Sequence, residues 1–367
     1  MSPIKPKSGI LDIKQYEIGI SKIAGVANPC KLSSNESSLG ASPRAVAAYQ
    51  VAAAKLHRYP DGAATDLRLA IAAHYGLAAD RIICGNGSDE LLHLLCQAYL
   101  GPGDEMVYSA HGFSIYPIAT LAAGARPVAA PERNHTAQVD ALLACVTPAT
   151  RIVFLANPNN PTGTYVTAAE VRRLRAGLRD DILLVLDAAY AEFVRRNDYE
   201  AGIEMVSTHD NVVMTRTFSK IYGLAALRLG WAYCPAHIID VLNRVRGPFN
   251  VSLPAQEAGI AALQDAAFTE SVAAHTEKWR GWLAEELQKI GLFSDPGAAN
   301  FLLVTFPVDT EHTAAAADAY LNRNGLIVRR MEGYGLPQCL RLTVGTEQEN
   351  KQVIQVLRNF MQDGEHV

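Results

Sequence analysis

No stretch of this 367-residue chain approaches the ~18 uninterrupted apolar residues of a membrane-spanning helix. The first 14 residues alternate charge, proline and single apolar side chains, so they lack the apolar core, roughly 7 to 15 residues long, of a signal peptide. A soluble, cytoplasmic protein is expected, with no membrane partner. Cysteine is sparse. The six cysteines, at positions 30, 84, 96, 145, 234 and 339, never fall into a CxxC pair, which argues against a zinc ribbon, a redox pair or a disulfide scaffold. The ten histidines contain no HExxH, so no metal is expected. Basic runs are missing too: 33 basic against 37 acidic residues leave a net charge of −4, not the footprint of a nucleic-acid binder. A hydrophobic content of 49% excludes a disordered or fibrous chain.

Lysine is the most telling shortage. There are ten lysines to 23 arginines, and between Lys55 and Lys278 the only one is Lys220. It follows an apolar run and sits in Thr-Phe-Ser-Lys-Ile-Tyr-Gly-Leu at 217–224, with few charges nearby. An amine buried there loses basicity and becomes a nucleophile towards carbonyls. On local sequence alone, an ordinary surface lysine remains an equal reading.

What the chain does contain is alternation. From about residue 41 to 248, short apolar runs at 81–84, 105–108, 151–156, 182–187, 211–215 and 228–233 alternate with alanine- and leucine-rich segments, the pattern of an α/β domain with a mostly parallel sheet. Thr167 with Glu170, and Thr346 with Glu349, read as capping boxes, and Ser88 as the cap of a leucine-rich helix. Beyond 248, long helical stretches at 255–263 and 267–290 precede strands at 300–306, 326–329 and 340–344. The expected organisation is an arm (1–40), a large domain (41–247) and a smaller α+β domain (248–367).

Three features lie just past strands, where open parallel sheets bind ligands. Asp187 ends an apolar run with Tyr190 three residues on, and reads either as a ligand contact or as a helix cap. Asn-Pro-Asn-Asn-Pro-Thr-Gly at 157–163 reads as a double turn. Gly-Asn-Gly-Ser-Asp-Glu at 85–90 can offer backbone N–H groups to a phosphate, and Glu90 in place of a third glycine separates it from the dinucleotide fingerprint.

In order along the chain, Tyr-Pro-Asp-Gly at 59–62, the 85–90 and 157–163 segments, Asp187 with Tyr190, Thr-Phe-Ser-Lys at 217–220 and Arg-Leu-Gly at 228–230 resemble the fold-type I pyridoxal-phosphate-dependent aminotransferases. Lys-Leu-Ser-Ser-Asn-Glu at 31–36 and Leu-Arg-Leu-Thr-Val-Gly-Thr at 340–346 are similar to the histidinol-phosphate aminotransferase family. The resemblance covers about residues 16–357.

It implies a seven-stranded, mostly parallel sheet, and pyridoxal 5'-phosphate held by Lys220, whose amine also moves the substrate proton. Asp187 would pair with the cofactor's ring nitrogen, Tyr190 and Asn160 with its phenolic oxygen, and Phe113 would stack on the ring. Ser88, Asp89, Thr217, Ser219 and Arg228 belong to the blocks around the phosphate, Asp89 as a positioning residue. Arg341 would take the anionic group of the amino donor or of 2-oxoglutarate, and Arg329 would add a second contact to a phosphate. Tyr16 and Asn35 would close over the substrate. Tyr59 would reach the neighbouring subunit's site, making the active unit a homodimer.

The chain departs from the family at Tyr16 to Gly19 and at 35–40, where proline is usual, and at His111-Gly112-Phe113. The loop 331–337 resembles a subgroup assigned to histidinol phosphate whose members can also accept aromatic amino acids or prephenate, so an aromatic or prephenate aminotransferase is an alternative. A phosphothreonine decarboxylase would share the same lysine and aspartate.

Overall fold

A strand covered on both faces must be apolar at odd and even positions alike, and several strands of this chain meet that demand. The computed structural model describes residues 4–16, 18–295, 297–308 and 311–362. The ends of the expected arm and C-terminal domain, 1–3 and 363–367, lie outside the described residues, as does Glu17 of the arm. Seven strands form the large sheet: β1 (Ile82–Asn86), β2 (Glu105–Ser109), β3 (Arg126–Ala130), β4 (Thr150–Ala156), β5 (Leu183–Asp187), β6 (Val212–Thr217) and β7 (Leu229–Tyr233). They lie in the order β1-β7-β6-β5-β4-β2-β3. Only β7 runs antiparallel to its neighbours. Along β4 and β5, Val153, Leu155, Leu184 and Leu186 enter the core on one face, while Ile152, Phe154, Leu183 and Val185 enter the core on the other.

The apolar runs point to six of these strands and miss β3. Its Arg-Pro-Val-Ala-Ala sequence has one β-branched residue and a proline, which a central strand would not tolerate. β3 lies at the sheet edge and bonds only to β2.

A second, antiparallel sheet comprises β8 (Phe293–Asp295), β9 (Phe301–Thr305), β10 (Arg329–Arg330) and β11 (Cys339–Thr343), in the order β8-β9-β11-β10. Helices Ala314–Arg323 and Glu347–Gln362 share its core. Helix Ala266–Lys289 joins the two bodies: Val272 and Ala273 pack into the large-sheet core, and Trp279, Leu283 and Leu287 into the small one. Residues Cys30–Lys31 pair in parallel with Leu326–Ile327, which lays the segment before residue 41 against the second sheet.

The caps differ in detail from the sequence reading. Ser88 is the first helical residue, and Gly87, at φ 80°, precedes it as the cap, so the first-turn N–H groups of this helix are not closed by a side chain. Thr167 accepts from the Glu170 amide at 3.4 Å, but the Glu170 carboxylate turns to Arg173 instead of closing the box. At Thr346 both legs form: Glu349 donates its amide to the Thr346 hydroxyl and accepts from the Thr346 amide at 2.7 Å. Thr346→Ala therefore costs about 1 kcal/mol of stability, read as a lower urea midpoint with the slope unchanged.

Candidate active site

The carboxyl ends of the large-sheet strands deliver most of the site. Gly87 and Ser88 follow β1, Phe113 follows β2, Asn160 follows β4, Asp187 ends β5 with Tyr190 beyond, and Thr217 ends β6 ahead of Ser219 and Lys220. All of these but Gly87 line a cleft of about 280 Å³, together with Asp89, Arg228, Tyr16 and Asn35. From the second sheet come Arg329 and Arg341, register partners on β10 and β11. Of the residues expected from sequence, Tyr59 alone is elsewhere: it is 82% exposed and stacks on Phe249 at 4.6 Å.

Lys220 reaches the Ser34 carbonyl at 3.4 Å and lies 5.7 Å from the centre of the Tyr190 ring. Burial pushes its amine down to about 8, and the Arg341 guanidinium pushes the same way. A useful fraction of free amine is thus present near neutral pH, the condition for attack on a carbonyl.

Asp187 is 4% exposed. Its carboxylate accepts from the Tyr116 hydroxyl at 2.7 Å and from Thr215 at 3.4 Å. Burial raises its carboxyl to about 6, against the lowering effect of the Tyr116 bond. No cation of the described residues pairs with it, so a cationic ligand atom would find an acceptor already paid for in desolvation. The Tyr116 ring is itself stacked on Phe154 at 4.6 Å, 1° from parallel.

Around the first turn of helix Ser88–Tyr99, two glycines allow close approach. A Cβ on Gly87 would lie 2.6 Å from an Arg228 nitrogen, and one on Gly230 would lie 2.2 Å from the Ser88 amide. Arg228, at φ 51°, donates to Asp89 at 3.1 Å and to the Ser219 hydroxyl at 3.3 Å. The Thr217 hydroxyl accepts from the Ser219 amide at 3.1 Å. Helix N–H groups, hydroxyls and a guanidinium converge, as an anionic group requires.

Opposite, Arg341 is 7% exposed. It donates to the Asn160 side-chain oxygen at 2.5 Å and to the Ser33 carbonyl at 2.8 Å, and lies over the Phe301 ring. Its Nε has no partner and no carboxylate of the described residues pairs with it; burial lowers its basicity. A buried guanidinium without an anion is an anion site in waiting. Asn35, at φ 53°, donates to the Tyr190 hydroxyl at 2.9 Å and is itself held by Thr343 and Asn300. Burial raises the Tyr190 hydroxyl well above its ordinary range, with Arg341 the strongest effect in the other direction.

Sequence reasoning missed Tyr116, Thr215, Ser33 and Phe301. Thr215 was findable, because strand alternation puts it on the same face as Thr217. Tyr116 carries no local signal.

The geometry defines the class: a fold-type I aminotransferase. Residues 27–357 match the family "Aminotransferase class I and II". The histidinol-phosphate aminotransferase of Paramagnetospirillum magneticum is 58% identical over 98% of this chain and 99% of its own length. That of Rhodopseudomonas palustris is 56% identical with the same coverage. Among solved structures, the histidinol-phosphate aminotransferase of Sinorhizobium meliloti, in complex with pyridoxal-5'-phosphate, superposes with a TM-score of 0.89 at 28% identity, covering 99% of both chains. The chain belongs to the class I and II aminotransferases and, within them, to the histidinol-phosphate aminotransferase family.

In the ligand-free protein, the rate of Lys220 acylation by acetic anhydride should reach half its maximum near pH 8, followed by peptide mass spectrometry. A midpoint at the ordinary lysine value of about 10.4 would contradict the buried setting.

Proposed function

We propose that this enzyme transfers an amino group between L-histidinol phosphate and 2-oxoglutarate, giving imidazole acetol phosphate and L-glutamate in histidine biosynthesis, with pyridoxal 5'-phosphate as cofactor. The observation that carries the substrate is the pair of register-matched guanidiniums, Arg329 and Arg341, lining one cleft. They suit a dianionic phosphate at the end of the cleft opposite the helix N-terminus. The name of the 58% identical relative supports the same reading.

The residues fit the cofactor group by group. A buried carboxylate without a cation, Asp187, suits a protonated ring nitrogen. The part of the cleft lined by Ser88, Ser219 and Arg228 suits a phosphate ester. The amine of Lys220 suits an aldehyde, and the Tyr190 hydroxyl, held by Asn35, suits the phenolic oxygen. Phe113 and Asn160 line the same cleft, where Phe113 would stack on the ring and Asn160 would bond the phenolic oxygen. When bound, the cofactor supplies an electron sink for the carbon that carries the amino group. The protein's residues do the rest. Lys220 would anchor the cofactor and, when released, take and return the proton at that carbon, its amine being largely free above about pH 8. Arg341 holds the substrate anion, oriented by Asn160 and Ser33. Asp89 fixes Arg228.

One observation favours a second reading, an aromatic or prephenate aminotransferase. An adjoining cavity of about 300 Å³ shares Tyr16 and Arg329 with the cleft and is walled by Ile13, Pro117, Ile118, Leu121 and Tyr334, apolar enough for a phenyl ring. The readings separate in kcat/KM. Arg329→Ala should lower the value for histidinol phosphate by roughly tenfold or more, the worth of one charge-assisted hydrogen bond, and that for phenylalanine much less, whereas Arg341→Ala should lower both. Equal losses in Arg329→Ala, with a native preference for an aromatic donor, favour the second reading. Product formed without 2-oxoglutarate would instead indicate a decarboxylase.

The proposal includes a homodimer with shared sites, working in the cytoplasm. Supporting it, the stacked pair Tyr59 and Phe249 is exposed, as are the apolar side chains Val46, Tyr49, Val51 and Leu56. No helix of the described residues is long and apolar enough to cross a membrane. Mixing an inactive Lys220→Ala chain with an inactive Tyr59→Ala chain should restore partial activity, because one site of each heterodimer keeps both residues. Failure after proven subunit exchange contradicts shared sites.

A further inference from the structure

Behind the cleft, on the opposite face of β6, lies a buried charged cluster that the chemistry above does not use. Thr215 and Thr217 face the site, so Arg216 between them faces away. Its guanidinium donates to Glu192 at 3.0 Å, with 7% and 11% of the two side chains exposed. It also lies 4.6 Å from the centre of the Tyr75 ring and 5.8 Å from that of Trp231. The Tyr75 hydroxyl donates to the same Glu192 oxygen at 3.1 Å and is 2.8 Å from the Tyr222 hydroxyl. A tyrosine has one hydroxyl hydrogen. Because Tyr75 spends its own on Glu192, Tyr222 must donate to Tyr75. One arrangement of protons accounts for the three bonds: Tyr222 to Tyr75, Tyr75 to Glu192, Arg216 to Glu192.

Two members of this chain of bonds, Glu192 and Tyr222, each lie two residues from a cleft residue. Glu192 sits in the turn Ala191–Phe193 that follows Tyr190, and the Phe193 amide donates to the Tyr190 carbonyl at 3.1 Å. Tyr222 sits in the turn that carries Lys220, where the Gly223 amide donates to the Lys220 carbonyl at 3.1 Å and the Leu224 amide to Phe218 at 3.0 Å. The Tyr222 ring packs on Phe218 at 4.9 Å. Helix Thr65–Tyr75 contributes only its last residue, yet that residue joins the two turns.

We propose that Tyr75, Tyr222, Glu192 and Arg216 are positioning residues for the amine of Lys220: the network locks the Lys220 turn against the Tyr190 turn and keeps the amine buried beside the Tyr190 ring. The inference rests on Lys220 being the reactive amine. Its first readout follows the amine directly, without cofactor or turnover, so failure of the two ideas can be told apart.

The test uses Tyr75→Phe and Tyr222→Phe in the full-length protein. Each removes one hydroxyl and keeps the ring; Tyr165→Phe, whose exposed hydroxyl bonds Asp198, is the control. The groups that face the amine, Arg341, Asp89, Glu36, Arg228 and the Tyr190 ring, are unchanged. With the turn loosened and the amine hydrated, the acylation midpoint of Lys220 should rise in both variants by about one pH unit, a tenfold change in its protonation ratio. In the cofactor-loaded enzyme, kcat should fall by up to about tenfold with KM little changed. The double variant should do no more than either single, as for two members of one unit. If either single variant keeps the wild-type acylation midpoint, the proposal is overturned, whatever happens to thermal stability. If both midpoints rise, the positioning stands, and the role of Lys220 in turnover is judged separately: full activity in Lys220→Ala would remove it.

Discussion

Asp187 ends a strand whose other members are leucine and valine, and the cost of burying its charge governs what can surround it. With only a tyrosine and a threonine hydroxyl as side-chain partners, the carboxyl is held near 6, on the edge of losing its charge. Such a group is tolerable because so much else around it is rigid: Tyr116 is stacked on Phe154, and Thr215 is fixed in the neighbouring strand. The sheet order follows the same need, since it places β4 and β6 on either side of β5 and so brings their ends to the same opening.

Charge in the cleft divides into satisfied and unsatisfied groups, and the division marks out function. Arg228 with Asp89 and Lys31 with Glu36 are paired across the rim, exposed enough that each pair is worth little in stability. Their value is geometric, in aiming donors. Asp187 and Arg341 are deeply buried and without a counter-ion among the described residues. They carry opposite signs and lie on separate sheets, so each site remains open to an ion of opposite charge. A cofactor with a basic nitrogen and a substrate with an anion answer both demands.

Much of this was legible in the sequence because it is local. Lys220 stood out by rarity, Asp187 by ending an apolar run, and the helix after β1 by its glycines. The edge strand β3 was hidden because edge strands need neither apolar faces nor freedom from proline. Ser88 was read as a cap, since hydroxyl residues favour that position, but the backbone turn there needs a positive φ and Gly87 takes it. Contacts that join distant segments left no trace: Asn160 meets Arg341 across 181 residues, and neither residue's neighbours announce the bond. Tyr116 and Arg216 were invisible for a related reason. Their roles depend on which way one face of an element points, and only the assembled sheet decides that.

The bonds of Asn35 and Arg341 also bear on when the site comes into being during synthesis. The seventh strand of the large sheet ends at Tyr233, so a nascent chain holds the whole sheet, with Lys220 and Asp187, when more than a hundred residues are still to be made. Asn35 then has no Thr343 to hold its backbone, and the Ser33 carbonyl has no Arg341; both bonds span 308 residues. Pairings of such long range close late. The end of the cleft that carries Arg341 therefore depends on pairings between segments far apart in sequence.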